Sequence, residues 1–474
     1  MGLMHRQTWA GRIFLAMLLG TLVLAIAAGP AMAASGDQLW ARRYNAYSGR
    51  DEAVTDMAVD ASGNIYVCGW ADKGSGSAVD YDLLLVKYSP TGARLWSVDY
   101  TDAAGAFVMG YACAVDSSGN VFVAGIYDGD GYGAAGVESL EVVKYSSAGA
   151  FVIGSVRNYG AFHGGTWYPC GGADIAVDPS TNDVIVTGYA QTGAGSARSM
   201  WTVRGNNNLG WFTEDVYAGP TATDTDGGWA VKAGATGPYY VCGGTSGGSG
   251  IDATTIKYSA TGVREWARRL DGTAHDGDVW TGLGVDSADN VYVAGGTKNA
   301  GRDLDASVAK YSPTGGLGWI RKHDGSAHDE DLFQSIAVSR SRGMLVLTGM
   351  NTAAGGNMNA LTQRYSLTGG LMWSRQYNGP GNRQDICHSA WIGPGGNVYV
   401  AGETVSATTG GDYATLKYSP TGALRWARRY NKSSTEGDMA RAVVANSSGC
   451  YVSGISYSGV GDENEDIATL KYVP

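Results

Sequence analysis

Histidine is scarce in this chain, six in 474 residues, and three of the six fall at matching places in successive stretches. They read HDGD (residues 275–278), HDED (328–331) and DICH (385–388). An imidazole beside a carboxylate can pass a proton near neutral pH, and a group of imidazoles and carboxylates can hold Zn²⁺. His275, His328, His388, Asp278, Asp331 and Asp385 are therefore the candidate catalytic or metal-binding set. HDGD and HDED are close copies, however, and duplication of one loop accounts for them without any site.

Carboxylates form a second pattern. Glu52, Asp226, Asp278, Asp331, Asp385 and Asp438 recur before one kind of apolar segment, while Asp82, Asp252, Asp305, Asp412 and Asp466 open another, with Asn359 in the equivalent place. Repetition at a fixed offset suits a carboxylate that accepts loop N–H groups and orders the loop. The chemical alternative is Ca²⁺, a hard cation that takes several carboxylate and carbonyl oxygens. The acid-rich stretches are DGDG with Asp128 and Asp130, DTDGG with Asp224 and Asp226, and the run Asp462, Glu463, Glu465 and Asp466. Asp224, Asp226, Asp462, Glu465 and Asp466 are the candidate ligands, and Ca²⁺ is the one cofactor these residues suggest. No stretch follows the full spacing of a dedicated calcium loop.

Residues 159–172, YGAFHGGTWYPCGG, supply a third candidate. Phe162, His163, Trp167 and Tyr168 there could stack on a sugar or peptide, because aromatics between glycines can present flat apolar faces. The same loop could instead plug a channel or cover a neighbouring element. No nucleophile elbow, P-loop, HExxH or dinucleotide fingerprint stands in a fitting context.

All these residues lie between copies of one unit of about 55 residues. The turn KYSPTG recurs at Lys87, Lys310 and Lys417, with variants at Lys144, Lys257, Arg364 and Val203. A Trp follows most turns, at Trp96, Trp211, Trp266, Trp319, Trp373 and Trp426, with Ile153 substituting once and Trp40 standing alone at the front. Within a unit, short alternating apolar segments bounded by Gly, Asn, Ser and Asp read as four strands. We label them A (AVD type), B (YVAG type), C (KY type) and D (LW type), from the hub outward. Four antiparallel strands per unit of this length predict a propeller blade.

The strand count decides how the ring closes. A, B and C occur eight times, but the first D, at residues 39–44, precedes any A, and the last unit ends at its C strand. The expectation is an all-β, eight-bladed propeller in which the N-terminal strand, about residues 38–45, completes the C-terminal blade. That pairing would cover an edge otherwise open to aggregation. The recurring Trp is expected to pack between blades. D-to-A and B-to-C loops are long and share one face, the expected ligand face.

Residues 1–33 are expected to be a signal peptide and 34–474 a single propeller domain of eight repeats. Arg6 and Arg12 precede an apolar run at residues 13–28, and Ala31, Met32 and Ala33 fit a cleavage site. No later segment is apolar enough to span a membrane. Losing both arginines leaves 32 basic against 44 acidic residues, a net charge of −12, which argues against nucleic acid as a partner. Cys68, Cys113, Cys170, Cys242, Cys387 and Cys450 include no CxxC spacing, and buried packing is the favoured reading.

The GNVYVAG-type B strand followed by D-x-x-x-x-KY, as in residues 290–295 with Asp305 and Lys310, resembles the bacterial β-propeller repeat family named for its seven-bladed members. The TGxxxW element, as in residues 91–96 and 421–426, is similar to the blade motif of quinoprotein-like propellers, which are eight-bladed. The resemblance implies an exported or cell-surface propeller. The leading reading is a monomeric binding or structural module, secreted, periplasmic or on a bacterial cell surface, that takes a carbohydrate or protein ligand. The alternative is an extracellular enzyme, lyase or hydrolase, acting on polysaccharide with the histidines and acids of units 5 to 7.

Overall fold

The computed structural model describes residues 33–474 other than 75–79, 102–106, 129–137, 158–169, 192–197, 221–225, 249, 276, 302, 407, 433–436 and 460–461, and the side chains of 458–464 are likewise outside it. Ser35–Pro474 forms one compact unit. Eight four-stranded antiparallel sheets make the eight blades of a propeller. The inner A strands are Glu52–Val59, Phe107–Val115, Cys170–Val177, Gly227–Ala233, Val279–Val285, Leu332–Ser339, Asp385–Ile392 and Met439–Asn446, in blades 1 to 8.

The eighth sheet contains the strand Gln38–Tyr44 paired antiparallel to Asp462–Tyr472, from Gln38 opposite Tyr472 to Tyr44 opposite Ile467. The seam reaches into the turn itself. Gly36 N–H donates to Val473 O and Val473 N–H to Asp37 O, both at 2.9 Å, the bonds that Gly422 to Ser419 and Ser419 to Ala423 make in the unbroken turn of blade 7. In this last blade the acidic run is strand, since its B strand extends to Gly459 and its C strand begins at Asp462.

The T-G-x-x-x-W motif is a clamp between blades. Six of the Trp residues lie on the turn glycine of the next blade: a Cβ on Gly92 would fall 2.6 Å from the Trp40 ring, and at Gly422, where φ is +82°, 2.7 Å from Trp373. Only glycine allows that backbone conformation and that approach at once. Trp211 is the exception, since Gly262 meets Thr213 and the Trp211 indole N–H donates to Ser155 Oγ at 2.9 Å. The indole N–H of Trp266 donates to Pro313 O at 3.0 Å and that of Trp373 to Pro420 O at 3.1 Å, in the turn of the following blade. The KY lysine reaches the same turn, as Lys257 does Pro313 O at 3.0 Å and Lys471 does Pro90 O at 2.7 Å. Trp426 closes on Gly36 in the same manner, with Arg428 Nε donating to Gly36 O at 2.7 Å.

Candidate functional site at the hub

The hub wall follows from one feature of the inner strands. Every A strand carries a β-bulge against its B partner, between Val54 and Asp56, Gly110 and Ala112, Gly172 and Asp174, Gly228 and Ala230, Trp280 and Gly282, Phe333 and Ser335, Cys387 and Ser389, and Ala440 and Ala442. The B-strand glycine makes room for it: a Cβ on Gly69 would stand 1.8 Å from Ala53 O, and one on Gly402 1.9 Å from Ile386 O. A bulge re-aims the extra side chain. The eight bulged residues, Thr55, Tyr111, Ala173, Trp229, Thr281, Gln334, His388 and Arg441, all line one inner chamber of about 350 Å³.

This chamber shares Thr55, Tyr111, Ala173, Trp229 and Arg441 with a wider mouth of about 1050 Å³. The mouth is bounded by the starts of A and C strands and the ends of B strands, so it opens on the face of the D-to-A and B-to-C connections. Its rim includes Trp70, Glu138, Tyr189, Arg198, Ile251 and Glu465. Tyr189 donates its hydroxyl to Glu138, and the Arg198 guanidinium lies 4.0 Å over the Tyr189 ring. Arg441 and Trp229 are both exposed to the channel.

Deeper in the hub, Asp56 accepts the Cys113 N–H at 3.0 Å, and Asp174 accepts that of Val231 at 2.8 Å. Burial pushes Asp56 up to about 6. The Lys232 ammonium stands 3.6 Å from Asp174, and that carboxylate, with Asp56 behind it, holds it above the ordinary lysine range. His388 Nδ1 meets Gln334 Oε1 at 2.5 Å, while its Nε2 is buried without a partner among the described residues. Burial, with Arg441 near by, pushes this imidazole down to about 4, so it is neutral at ordinary pH.

The histidines singled out by sequence are not brought together. His275 and His328 sit on exposed turns at positive φ, 56° and 52°, each against the aspartate four residues earlier, at 2.7 and 2.8 Å. These partners, Asp271 and Asp324, hold the imidazoles above their usual range. His388 alone faces the hub, and no hydrogen bond or ion pair among the described residues joins any two of the three.

The acids before the A strands are clips. Asp278 accepts the N–H of Gly272 and, at 2.7 Å, that of Lys298; Asp331 accepts those of Gly325 and, at 2.7 Å, Thr352; Asp385 accepts that of Gly379 at 2.7 Å. Asp226 and Asp438 do the same, with Gly219 N–H at 2.8 Å and Lys432 N–H at 2.8 Å. Each ties its D-to-A loop to the hub, which is why the residue recurs. Asp466 is engaged by Arg43 and Asn45, and Glu465 by the Tyr457 hydroxyl at 2.9 Å.

Two other acid triplets come close enough to share a cation, Asp252 with Asp271 and Asp278, and Asp303 with Asp305 and Asp324, ligand atoms within 4.8 Å of one another. Asp252 already pairs with Arg269, and Asp305 with Asn299 at 3.0 Å. Phe162, His163, Trp167, Tyr168, Asp130 and Asp224, and the side chains of Asp462 and Glu463, lie outside the described residues.

Glu52 illustrates the electrostatic side of such a clip. It accepts the N–H groups of Ala46 and Tyr47 at 2.9 and 3.0 Å, yet burial pushes it up to about 8. A carboxyl raised above its unfolded value stabilises the fold fully below about pH 4.5, and the contribution is lost as pH rises through about 8. Glu52→Gln should therefore flatten the fall in melting temperature between pH 5 and 8 and leave pH 5 stability near the parent's. Thermal melts at both pH values check it, and parallel curves would contradict the assignment.

The ring of bulged residues went unread in the sequence because the bulged position holds seven residue types in eight units. Its signal was the B-strand glycine, which recurs in all eight units and marks the bulge opposite.

No protein-family model and no curated protein matches the chain. Among solved structures it is similar to Sqt1 from Chaetomium thermophilum, with a TM-score of 0.56 and 10% identity over 93% of this chain and 99% of that one. It is likewise similar to Chaetomium thermophilum Sqt1 bound to the N-terminus of the ribosomal protein L10, with a TM-score of 0.55 and 10% identity over 92% and 100%. At such identity the likeness is one of fold, and the fold is the eight-bladed β-propeller.

Proposed function

We propose that this protein is a binding propeller whose ligand enters the hub through the mouth on the D-to-A and B-to-C face. One observation carries the reading. The B-strand glycine that admits the bulge recurs in all eight blades, whereas the bulged position opposite it holds Thr, Tyr, Ala, Trp, Thr, Gln, His and Arg. Repeats drift together where packing alone is served; a ring with a cation, two aromatics and several hydrogen-bonding groups suits recognition of one asymmetric ligand. Exposed Trp229 and half-buried Tyr111 offer apolar faces and Arg441 a planar fork for a carboxylate, so the end of a glycan or an extended peptide fits this chemistry.

The N-terminal segment supports the reading that the protein is exported, with cleavage near Ala33 and binding outside the cytoplasm; N-terminal sequencing of the protein recovered from envelope and medium tests that part. No helix among the described residues is long and apolar enough to cross a membrane.

Glycan and peptide arrays probed with the parent, Trp229→Ala and Arg441→Ala test the binding reading. Both side chains face the channel, so melting should change little while binding falls tenfold or more, the loss of a stacked ring or a bidentate pair being worth about 1.4 kcal/mol or above. His275→Ala, on an exposed turn, should bind as the parent does. Binding that ignores both hub substitutions overturns the proposal.

A further inference from the structure

The seam between blades 1 and 2 departs from the others at one place. Where a B strand packs against the next A strand, a small residue usually meets an aliphatic one, as Ala294 meets Ile336 and Ala401 meets Val443. Here both are thiols. Cys68 is fully buried and Cys113 is 6% exposed, in one core cluster. Cys242 occupies the B-strand place of Cys68 in blade 4, but it packs with Leu283. A second thiol facing the first is therefore particular to this seam.

A carboxylate completes the group. Ligand atoms of Asp56, Cys68 and Cys113 all lie within 4.8 Å of one another. In a tetrahedral zinc site, with sulfur at about 2.3 Å and oxygen at about 2.1 Å, neighbouring ligands stand roughly 3.5–3.8 Å apart, so a contraction of about 1 Å or less brings the three into register. The backbone already orients the carboxylate, through the Cys113 N–H at 3.0 Å. Thr55 Oγ1 stands 3.7 Å from Cys68 Sγ. Thr55 and Asp56 both line the inner chamber, which leaves the fourth position on the channel side.

We propose that Asp56, Cys68 and Cys113 form a binding site for a thiophilic divalent cation of the Zn²⁺ type, with three protein ligands and an open position toward the chamber. Two thiolates and a carboxylate against a dication leave one net negative charge, and Lys232, whose ammonium already feels Asp56, stands on the side that offsets it. The contact with Cys68, and then burial, keep the Cys113 thiol well above the usual range without metal. Loading therefore releases thiol protons and tightens as pH rises.

Chelator-stripped full-length protein titrated with Co²⁺ tests the site. One equivalent should bind per chain with a thiolate-to-metal charge-transfer band that Zn²⁺ abolishes by displacement. Cys68→Ser and Cys113→Ser should each remove the band, Asp56→Asn should weaken binding tenfold or more, and Cys242→Ser should leave both unchanged. X-ray absorption at the zinc edge of the loaded parent should show two sulfur neighbours at about 2.3 Å, which keeps the test open if the serine variants fail to fold. A Co²⁺ complex without a thiolate band, a band that survives either serine, an edge spectrum without sulfur, or a Cys68–Cys113 disulfide in the purified protein would each overturn the proposal.

Discussion

Removing residues 38–45 should abolish the single cooperative melt of the propeller, where trimming eight residues from a terminus usually costs little. The strand Gln38–Tyr44 is the outer strand of blade 8, paired along Asp462–Tyr472. Trp40 packs on Gly92 of blade 1 and belongs to a core cluster with Tyr88 and Tyr451. Arg42 Nε donates to Gly92 O at 2.8 Å, and Arg43 pairs with Asp466. The deletion thus strips the backbone partners of one edge and also the clamp that joins the last blade to the first. Trp40→Ala alone should cost about 3–5 kcal/mol, the range for a large aromatic leaving a packed site. Calorimetry of the three proteins decides it: the truncated chain should show a broadened or absent transition and Trp40→Ala a lowered one. An unchanged melt in the truncated chain would mean that the ring closes without this strand.

What the sequence revealed and what it hid divide along periodicity. Anything repeated was legible: the eight B-strand glycines, the KY turns and the TGxxxW clamps fixed blade number, and an unmatched D strand ahead of the first A fixed the seam at Gln38–Tyr44. Repetition also misled. HDGD and HDED drew attention because imidazoles and acids stood together, but the loop folds so that His275 pairs with Asp271 in its own turn and Asp278 turns inward to clip backbone. Charge at the blade edge behaves likewise: Asp252 and Asp412 answer Arg269 and Arg429, and in blade 6, where Asn359 replaces the acid, Gln376 replaces the cation. The hub ring was the converse case. Thr55, Tyr111, Trp229 and Arg441 share no residue type, so nothing in their identities announced a common position, and three-dimensional register alone aligned them.

Gly402→Ala should be among the most damaging single substitutions in the molecule, because one added methyl group opposes the device that shapes the hub. The new Cβ would lie 1.9 Å from Ile386 O and 2.6 Å from Cys387 Cα, both backbone atoms that no rotamer change can move aside. Relief requires the A strand of blade 7 to draw away from its B partner at the bulge between Cys387 and Ser389. Overpacking of this kind costs about 1–3 kcal/mol and more where the backbone must shift. The same displacement would carry His388 off Gln334 and distort the chamber wall. Gly248→Ala supplies the control, since nothing lies within 4 Å of its Cβ position, and should leave stability within about 0.5 kcal/mol. Chemical denaturation separates the two, and ligand affinity measured on the folded fraction of Gly402→Ala adds the functional half. A loss of stability with affinity intact would show that the bulge serves packing alone, whereas a joint loss ties the B-strand glycine, through the bulge it admits, to recognition at the hub.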